Sequence, residues 1–324
     1  DEPSTIARVS LLSGLYRTAT ANWDEARAHY ETGLEMAHNL GDTRLWCENA
    51  VGLETISGPW LLTATFQGHR PWAKLVDAAL AFGQSYDDMQ VLACALLGRI
   101  RGNRVLGETQ KVRDDLVVLA DLVRDEQNEL EIIHRVEGCA HLSADAIDRG
   151  DLSEADAWLE AGIGKLKDTT SGMKSHTLPA LTLAFDCCLR MVAADPNGPK
   201  TDTYKGYAQD VVKKLKTFSK PSPIGRPDLF RAQGDMAMLA GQTRKAREAW
   251  TQAVDAANAL QMPLAGLIAR ERLAVSEPAH AAQNSRPALL TAALEAARVP
   301  PPEIAPEILS SDQVTPPIPG LQFS

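Results

Sequence analysis

Aromatic residues are scarce in this chain, and their scarcity argues against a β-sheet protein. Only 5% of the residues are aromatic, whereas 44% are hydrophobic, and most of those are Ala or Leu. Sheets favour Val, Ile and aromatic side chains, while Ala and Leu favour closely packed helices. The composition therefore predicts an all-α fold, and 324 residues are enough for a substantial core.

A cysteine pattern typical of disulfides or of a zinc site is also missing. The five cysteines form no CxxC motif and their number is odd, which argues against a disulfide framework or a Cys-rich zinc site. The adjacent Cys187 and Cys188 are interpreted as small buried side chains. We expect reduced thiols and a cytoplasmic protein; the cysteines are Cys47, Cys94, Cys139, Cys187 and Cys188.

Basic charge is in deficit, with a formal net charge of −9. Nucleic acids and anionic membrane surfaces reward basic patches, so neither is predicted as a partner. No apolar run approaches the length of a membrane span, and the acidic start DEPST does not resemble a signal peptide. The first residue is not Met, so we expect a fragment of a longer polypeptide or a processed chain.

Two distant stretches share one pattern, ANWDEARAHYETGL (21–34) and AGQTRKAREAWTQAV (240–254). In each, a small residue follows a turn, a large residue stands four positions later, and the stripe ends seven or eight positions on, as in an amphipathic helix. The pattern recurs about every 40 residues, which predicts repeated helical hairpins. The small residues are Ala26, Ala73, Val112, Ala155 and Ala246; the turn residues are Ala21, Gly68, Gly107, Gly150 and Gly241; the fourth-position residues are Tyr30, Asp77, Leu116, Leu159 and Trp250.

A further, degenerate hairpin is predicted between 176 and 220, and a last pair of helices, LAGLIARERLAV (264–275) and RPALLTAALEAA (286–297), is predicted to cap the array. Together these give about seven hairpins. The pattern resembles the tetratricopeptide repeat: Gly14 and Gly234 match its small first-helix position, and Tyr30 and Trp250 match its aromatic position. Asp77 departs from the family's apolar column, and the family's closing Pro is absent.

The resemblance implies a right-handed superhelical solenoid. We assign it to 1–298, followed by a Pro-rich tail at 299–324 that packs on the solenoid. The residues expected to hold the tail are Ile304, Ile308, Leu309 and Ile318.

The segment 223–274 also resembles the C-terminal repeats of large class III nucleotide cyclases and related signalling ATPases. The matching features are IGRP at 224–227, the turn at Gly241, the pair Ala246 and Trp250, and Met262 before Pro263. This resemblance implies parentage only, because the catalytic motifs of that family lie in upstream domains. It carries no catalytic residue onto this chain.

Motifs for catalysis, cofactors or metals are not found. Gly164-Lys165 lacks the remainder of a P-loop, and the SxxK match from Ser171 to Lys174 has no partner motifs. The histidines show no HExxH motif; His134 and His141 are interpreted as polar or core-edge residues. The basic stretch 205–220 is interpreted as a solvated helix face. No catalytic, cofactor-binding or metal-binding residue is predicted.

The repeat register suggests a partner-binding groove, because in tetratricopeptide arrays the first helix of each hairpin lines the concave face. Arg101 and Arg104 lie three apart, a spacing that can clamp a carboxylate or phosphate. Ordinary surface charges, or ion pairs from Arg101 or Arg104 to Glu137, are the alternative. The groove hypothesis predicts that reversing both Arg charges weakens partner binding and leaves thermal stability unchanged. The candidate groove residues are Arg8, Arg101, Arg104, Glu137, Asp228, Arg231 and Asp235.

Together these observations predict a non-catalytic helical-repeat scaffold. It would bind a protein or peptide, or upstream domains of its own polypeptide, as the C-terminal regulatory segment of a signalling protein such as a class III cyclase. The alternative is an enzyme or small-ligand-binding protein with a site in the solenoid groove.

Overall fold

The described residues of the computed structural model, 3–59, 61, 69–166 and 175–275, are all helical apart from turns. The predicted turn at Gly68, the SxxK segment and the Pro-rich tail lie outside them. The helices are α1 Pro3–Ala19, α2 Trp23–Leu40, α3 Thr43–Ser57, α4 His69–Ser85, α5 Met89–Leu106, α6 Thr109–Arg124, α7 Ile132–Arg149, α8 Leu152–Leu166, α9 Thr177–Ala194, α10 Thr201–Phe218, a short 3-10 turn at Pro223–Gly225, α11 Arg226–Leu239, α12 Thr243–Ala259 and α13 Pro263–Val275.

Tight left-handed turns separate the helices where the sequence predicted them. Gly107, Gly150 and Gly241 have φ values of 75°, 80° and 72°, a region that glycine enters without steric cost. Ala21 adopts a φ of 60° at the corresponding place, where a side chain makes the turn less favourable. The predicted degenerate hairpin is present as α9 and α10.

Glycines allow neighbouring helices to approach closely where an aromatic ring crosses them. A Cβ atom at Gly14 would lie 2.6 Å from Cε1 of Tyr30, and one at Gly52 would lie 2.3 Å from the same atom. At the other end of the chain, a Cβ atom at Gly234 would lie 2.4 Å from Cδ1 of Trp250. The small and aromatic positions found in the sequence are therefore in direct contact.

The helices pack in chain order, and the odd-numbered ones also pack on one another. Contacts join α1 to α3, α3 to α5, α5 to α7 and α7 to α9, while α11 contacts α13. The two ends of the described chain meet as well, because α1 contacts the 3-10 turn and the indole N–H of Trp23 donates to the carbonyl of Leu260 at 2.8 Å.

The helix α9 corrects the expectation about apolar runs. Its 18 residues are long and apolar enough to cross a membrane, but 61% of them are buried inside the fold. Phe185 and Cys187 are fully buried, and the Cys187 thiol donates to the carbonyl of Ala140 on α7 at 3.4 Å. Its apolar side chains pack in the core, where α9 contacts α7 and α10.

Candidate functional site

Three odd helices meet at a buried charge cluster, which we name the Arg101 cluster: Glu54 of α3, Arg101 of α5 and Glu137 of α7. One Arg101 nitrogen donates to Glu137 at 2.6 Å, and another donates to Glu54 at 3.3 Å. The indole N–H of Trp72 also donates to Glu54, at 3.0 Å. The side chains are 4%, 8% and 0% exposed in the order Glu54, Arg101, Glu137, so water contributes little to their solvation.

The two carboxyl groups of this cluster respond differently to the shared guanidinium. Burial opposes ionisation of Glu137, yet Arg101 and, to a smaller extent, the nearby His141, whose Nε2 is 3.6 Å away, lower its pKa to about 2. For Glu54, which lies farther from Arg101, burial dominates and raises the pKa. Glu137 is therefore the carboxylate whose charge the cluster stabilises.

A second cluster, named the Arg231 cluster, lies where α9, α11 and α13 come together. Arg231 is 2.6 Å from Asp186, 3.5 Å from Asp228 and 3.4 Å from Asp235. Arg272 of α13 approaches Asp235 at 3.3 Å. Burial raises the pKa of both Asp228 and Asp235 despite the attraction of Arg231. Two guanidinium groups thus face three carboxyl groups here.

The remaining two predicted groove residues lie apart from these clusters. Arg104 donates to the carbonyl of His141 at 3.0 Å and lies 3.5 Å from Asp148, with 24% of its side chain exposed. Arg8 is exposed on α1. The structure therefore brings Arg101 together with Glu137, as the ion-pair alternative proposed.

In both clusters the charged side chains connect neighbouring helices and are paired with one another. Each guanidinium meets carboxylates from a neighbouring odd helix, and a buried pair resists separation because either partner alone would be an uncompensated charge. Arg101, Glu137, Arg231 and Asp235 are buried in this way, so an incoming peptide would reach Arg8 and Arg104 first.

A group of side chains that the sequence reasoning missed lies at the N-terminal ends of α5, α7 and α9. One donor atom each from Glu131, His134 and His176 lies within 4.8 Å of the others. The Cys94 sulfur is 3.5 Å from Nε2 of His134, and Gln90 Nε2 is 2.7 Å from its Nδ1. Cys94 and His134 are 40 residues apart and Glu131 and His176 are 45 apart, close to the repeat period, which is the signal that would have found them.

The electrostatics of this group keep its buried histidine neutral. Burial, followed by the neighbouring His176, lowers the pKa of His134 to about 3. Burial raises the pKa of the Cys94 thiol to about 12. Glu131 remains 42% exposed and His176 18% exposed, so the group is open to solvent on one side.

An exposed apolar stripe on α1 was also missed. Within the described part of the chain, four of the ten exposed large apolar side chains belong to this helix. Ile6, Val9, Leu12 and Tyr16 are 39%, 55%, 65% and 63% exposed, and their spacing of three or four residues places them along one side of the helix. The opposite side, with Ala7, Ser10 and Gly14, is buried.

No protein-family model and no curated protein sequence matches the chain. Its function is inferred from its own residues.

Proposed function

We propose that this protein is a non-catalytic scaffold of tetratricopeptide-like helical hairpins that mediates protein–protein or interdomain contact. The observation that carries the proposal is the apolar stripe of α1. Contiguous exposed apolar side chains are typical of interaction sites, whereas apolar residues scattered singly over a surface are not.

The packing of the odd helices supports a solenoid. Each of α3, α5 and α7 contacts an odd helix on both sides, and contacts between successive units are how repeat arrays build a core. The contact between the two ends of the described chain is an addition to that pattern. Gly14 beneath Tyr30 and Gly234 beneath Trp250 repeat the same close contact near the two ends of the row. On this basis we assign the chain to a superhelical array of about seven hairpins.

The spacing of the exposed side chains supports a helix as the partner element. α2 and α3 already pack against α1, and a helix is the element that fits a row of side chains spaced three or four residues apart. Arg8 is exposed and lies one turn before Leu12, so an acidic residue on the partner helix would face it. The proposed partner segment is therefore an amphipathic helix with an apolar stripe and an acidic flank.

The resemblance of 223–274 to the repeats of class III cyclases supports a regulatory setting for this contact. We propose that the partner helix belongs to an upstream domain of the same signalling polypeptide or to a cytoplasmic protein that the array recruits. In either case the described helices mediate the contact and supply no catalytic group.

A photo-crosslinking experiment tests the proposal. A photoreactive phenylalanine analogue is placed at Leu12 of the full chain, or at Val117 as a control, since Val117 is 68% exposed on α6. After irradiation in lysate of the source cells, adducts are mapped by mass spectrometry. We expect an adduct at Leu12 that maps to one amphipathic helix and falls at least tenfold when Val9 is changed to Asp. Equal labelling at Val117, or no adduct at Leu12, would refute the scaffold proposal.

A further inference from the structure

The exposed apolar stripe of α1 lies near the C-terminal hairpins of the array. The indole N–H of Trp23, at the start of α2, donates to the carbonyl of Leu260 at 2.8 Å, and α1 contacts the 3-10 turn before α11. α13 packs on both α11 and α12, so the last described helix belongs to the group of helices that α1 and α2 touch. The chain that follows Val275 therefore leaves the part of the array that borders α1.

The Pro-rich tail 299–324, which lies outside the described residues, has a composition that complements this stripe. It contains three acidic residues and no Lys or Arg, while the stripe is bordered by the exposed Arg8. Within the tail, the segment EIAPEIL (303–309) contains the dipeptide Glu-Ile twice, at 303–304 and at 307–308. The tail therefore twice offers a large apolar side chain next to a negative charge, which suits an apolar stripe with a basic neighbour.

The lengths of the stripe and of this tail segment also agree. Pro306 stands in the middle of 303–309, so the sequence favours an extended segment there over a helix. In an extended chain alternate side chains share a side, and at about 3.3 Å per residue Ile304 and Ile308 would lie on one side about 13 Å apart. An α-helix rises about 1.5 Å per residue, so the stripe from Ile6 to Tyr16 is about 15 Å long.

From these features we propose that the tail segment 303–309 lies along the stripe of α1 in the same chain. Ile304 and Ile308 would contact the apolar side chains, and one of the neighbouring carboxylates would face Arg8. The inference rests on the proposed function, because it takes the stripe as the binding surface, and it adds how access to that surface is regulated. The tail covers the stripe until a partner helix displaces it.

The connection between α13 and the tail segment is long enough for a contact within one chain. The residues 276–302, also outside the described residues, can span up to about 70 Å even when the predicted helix at 286–297 is counted at helical length. α1, with 17 residues, is about 25 Å long. A tether that can span two sites gives an effective concentration on the order of millimolar, so a weak contact is enough to keep the stripe covered.

Photo-crosslinking of the purified full chain tests the inference. The photoreactive phenylalanine analogue is placed at Leu12, and equal amounts of isotopically light and heavy chains are mixed before irradiation. We expect an adduct between position 12 and the segment 303–309 of the same chain. Changing Ile304 and Ile308 together to Asp should reduce this adduct at least tenfold, whereas the control Leu321→Asp, in the same tail, should leave it unchanged.

A charge exchange tests the role of Arg8. Arg8→Glu should reduce the same-chain adduct about twofold to fivefold, the effect of one exposed ion pair, and Glu307→Arg in that background should restore it. The inference would be overturned by the absence of the same-chain adduct or by an adduct that the changes at Ile304 and Ile308 leave intact. Adducts that join light to heavy chains would also overturn it, because a second copy would then cover the stripe.

The same variants separate this inference from the proposed function in lysate of the source cells. When the changes at Ile304 and Ile308 release the tail, the adduct between position 12 and a partner helix should increase at least threefold, and an unchanged yield would overturn the regulatory role. A partner adduct without a same-chain adduct would overturn the tail contact and leave the proposed function intact. A same-chain adduct with no partner adduct, even in the released variant, would refute the proposed function and support the tail contact.

Discussion

Replacing Arg101 with Met removes the guanidinium that lies between Glu54 and Glu137 and leaves two buried carboxyl groups facing each other. Breaking a buried ion pair by removing one partner typically costs about 3 to 5 kcal/mol. A second estimate agrees: a carboxylate with the ordinary pKa of 4.5 must take up a proton to lose its charge, and at pH 7 this costs about 3 kcal/mol. We therefore expect the free energy of unfolding to fall by about 3 to 5 kcal/mol at pH 7.

The pH dependence identifies the cause of this loss. In the wild type the pKa of Glu137 is depressed to about 2, so its stabilising contribution is complete above pH 4.5 and is lost as the pH falls towards 2. In Arg101→Met the folded-state pKa of the carboxyl groups would instead lie above 4.5, so the folded state binds the extra proton. The variant's deficit should therefore shrink between pH 7 and pH 5 by roughly 1 kcal/mol per pH unit for each carboxyl that titrates.

Urea unfolding followed by far-ultraviolet circular dichroism measures both effects. Arg113→Met is the matched control, because Arg113 is 48% exposed and pairs with Asp145 at 3.8 Å, and such surface pairs contribute at most about 1 kcal/mol. Adding Glu54→Gln and Glu137→Gln to Arg101→Met should recover part of the loss. A deficit below about 1 kcal/mol at pH 7, or one that does not change at pH 5, would refute the reasoning. The same result would favour the sequence-based expectation that changing this residue leaves stability intact.

Three other predictions concern local structure. Gly14→Ala should destabilise the protein by about 1 to 3 kcal/mol, because the new Cβ atom would lie 2.6 Å from the ring of Tyr30. Gly206→Ala places its Cβ atom in open space, with no atom within 4 Å, and should stabilise the helix by about 0.5 to 1 kcal/mol. Thermal unfolding distinguishes the two variants. Asp42→Ala removes a helix cap that accepts a hydrogen bond from the Leu45 N–H at 3.0 Å and should cost about 1 kcal/mol. The Asn22 side chain makes no cap hydrogen bond, so Asn22→Ala should leave the urea midpoint nearly unchanged. Burial lowers the pKa of His141 from 6.5 to about 4, so the unfolded chain binds one more proton than the folded protein as the pH falls below 6.5. His141→Gln should therefore reduce the stability that the protein loses between pH 7 and pH 5 by about 2 kcal/mol. An unchanged loss would contradict this.

The paired helices were predictable from local signals alone. A turn residue, a small residue five positions later and a large residue four positions after that specify a turn and an amphipathic helix through interactions within a few residues. Even the degenerate hairpin, which lacks this spacing, was found from its apolar run and the turn-rich segment that follows. The number of hairpins and their superhelical course depend on how the units stack, so they remain part of the proposed function.

The candidate groove shows where such reasoning stops. The sequence register placed Arg101 and Glu137 on one groove-lining face, and the structure brings them within 2.6 Å of each other but buries both side chains. The sequence could not show that Glu54 of α3 approaches the same guanidinium and helps to bury it. Whether a charged residue faces water or another charge depends on the neighbouring helices, whose contributions come from distant parts of the chain.

The sequence by itself determined the helical composition and most of the turns, because each follows from backbone preferences and from residues close together in the chain. Only the tertiary structure decided which residues meet across repeats. The approach of His176 to Glu131 and the burial of Arg101 both require successive odd helices to pack in a particular register. That register is set by packing over the whole row of helices.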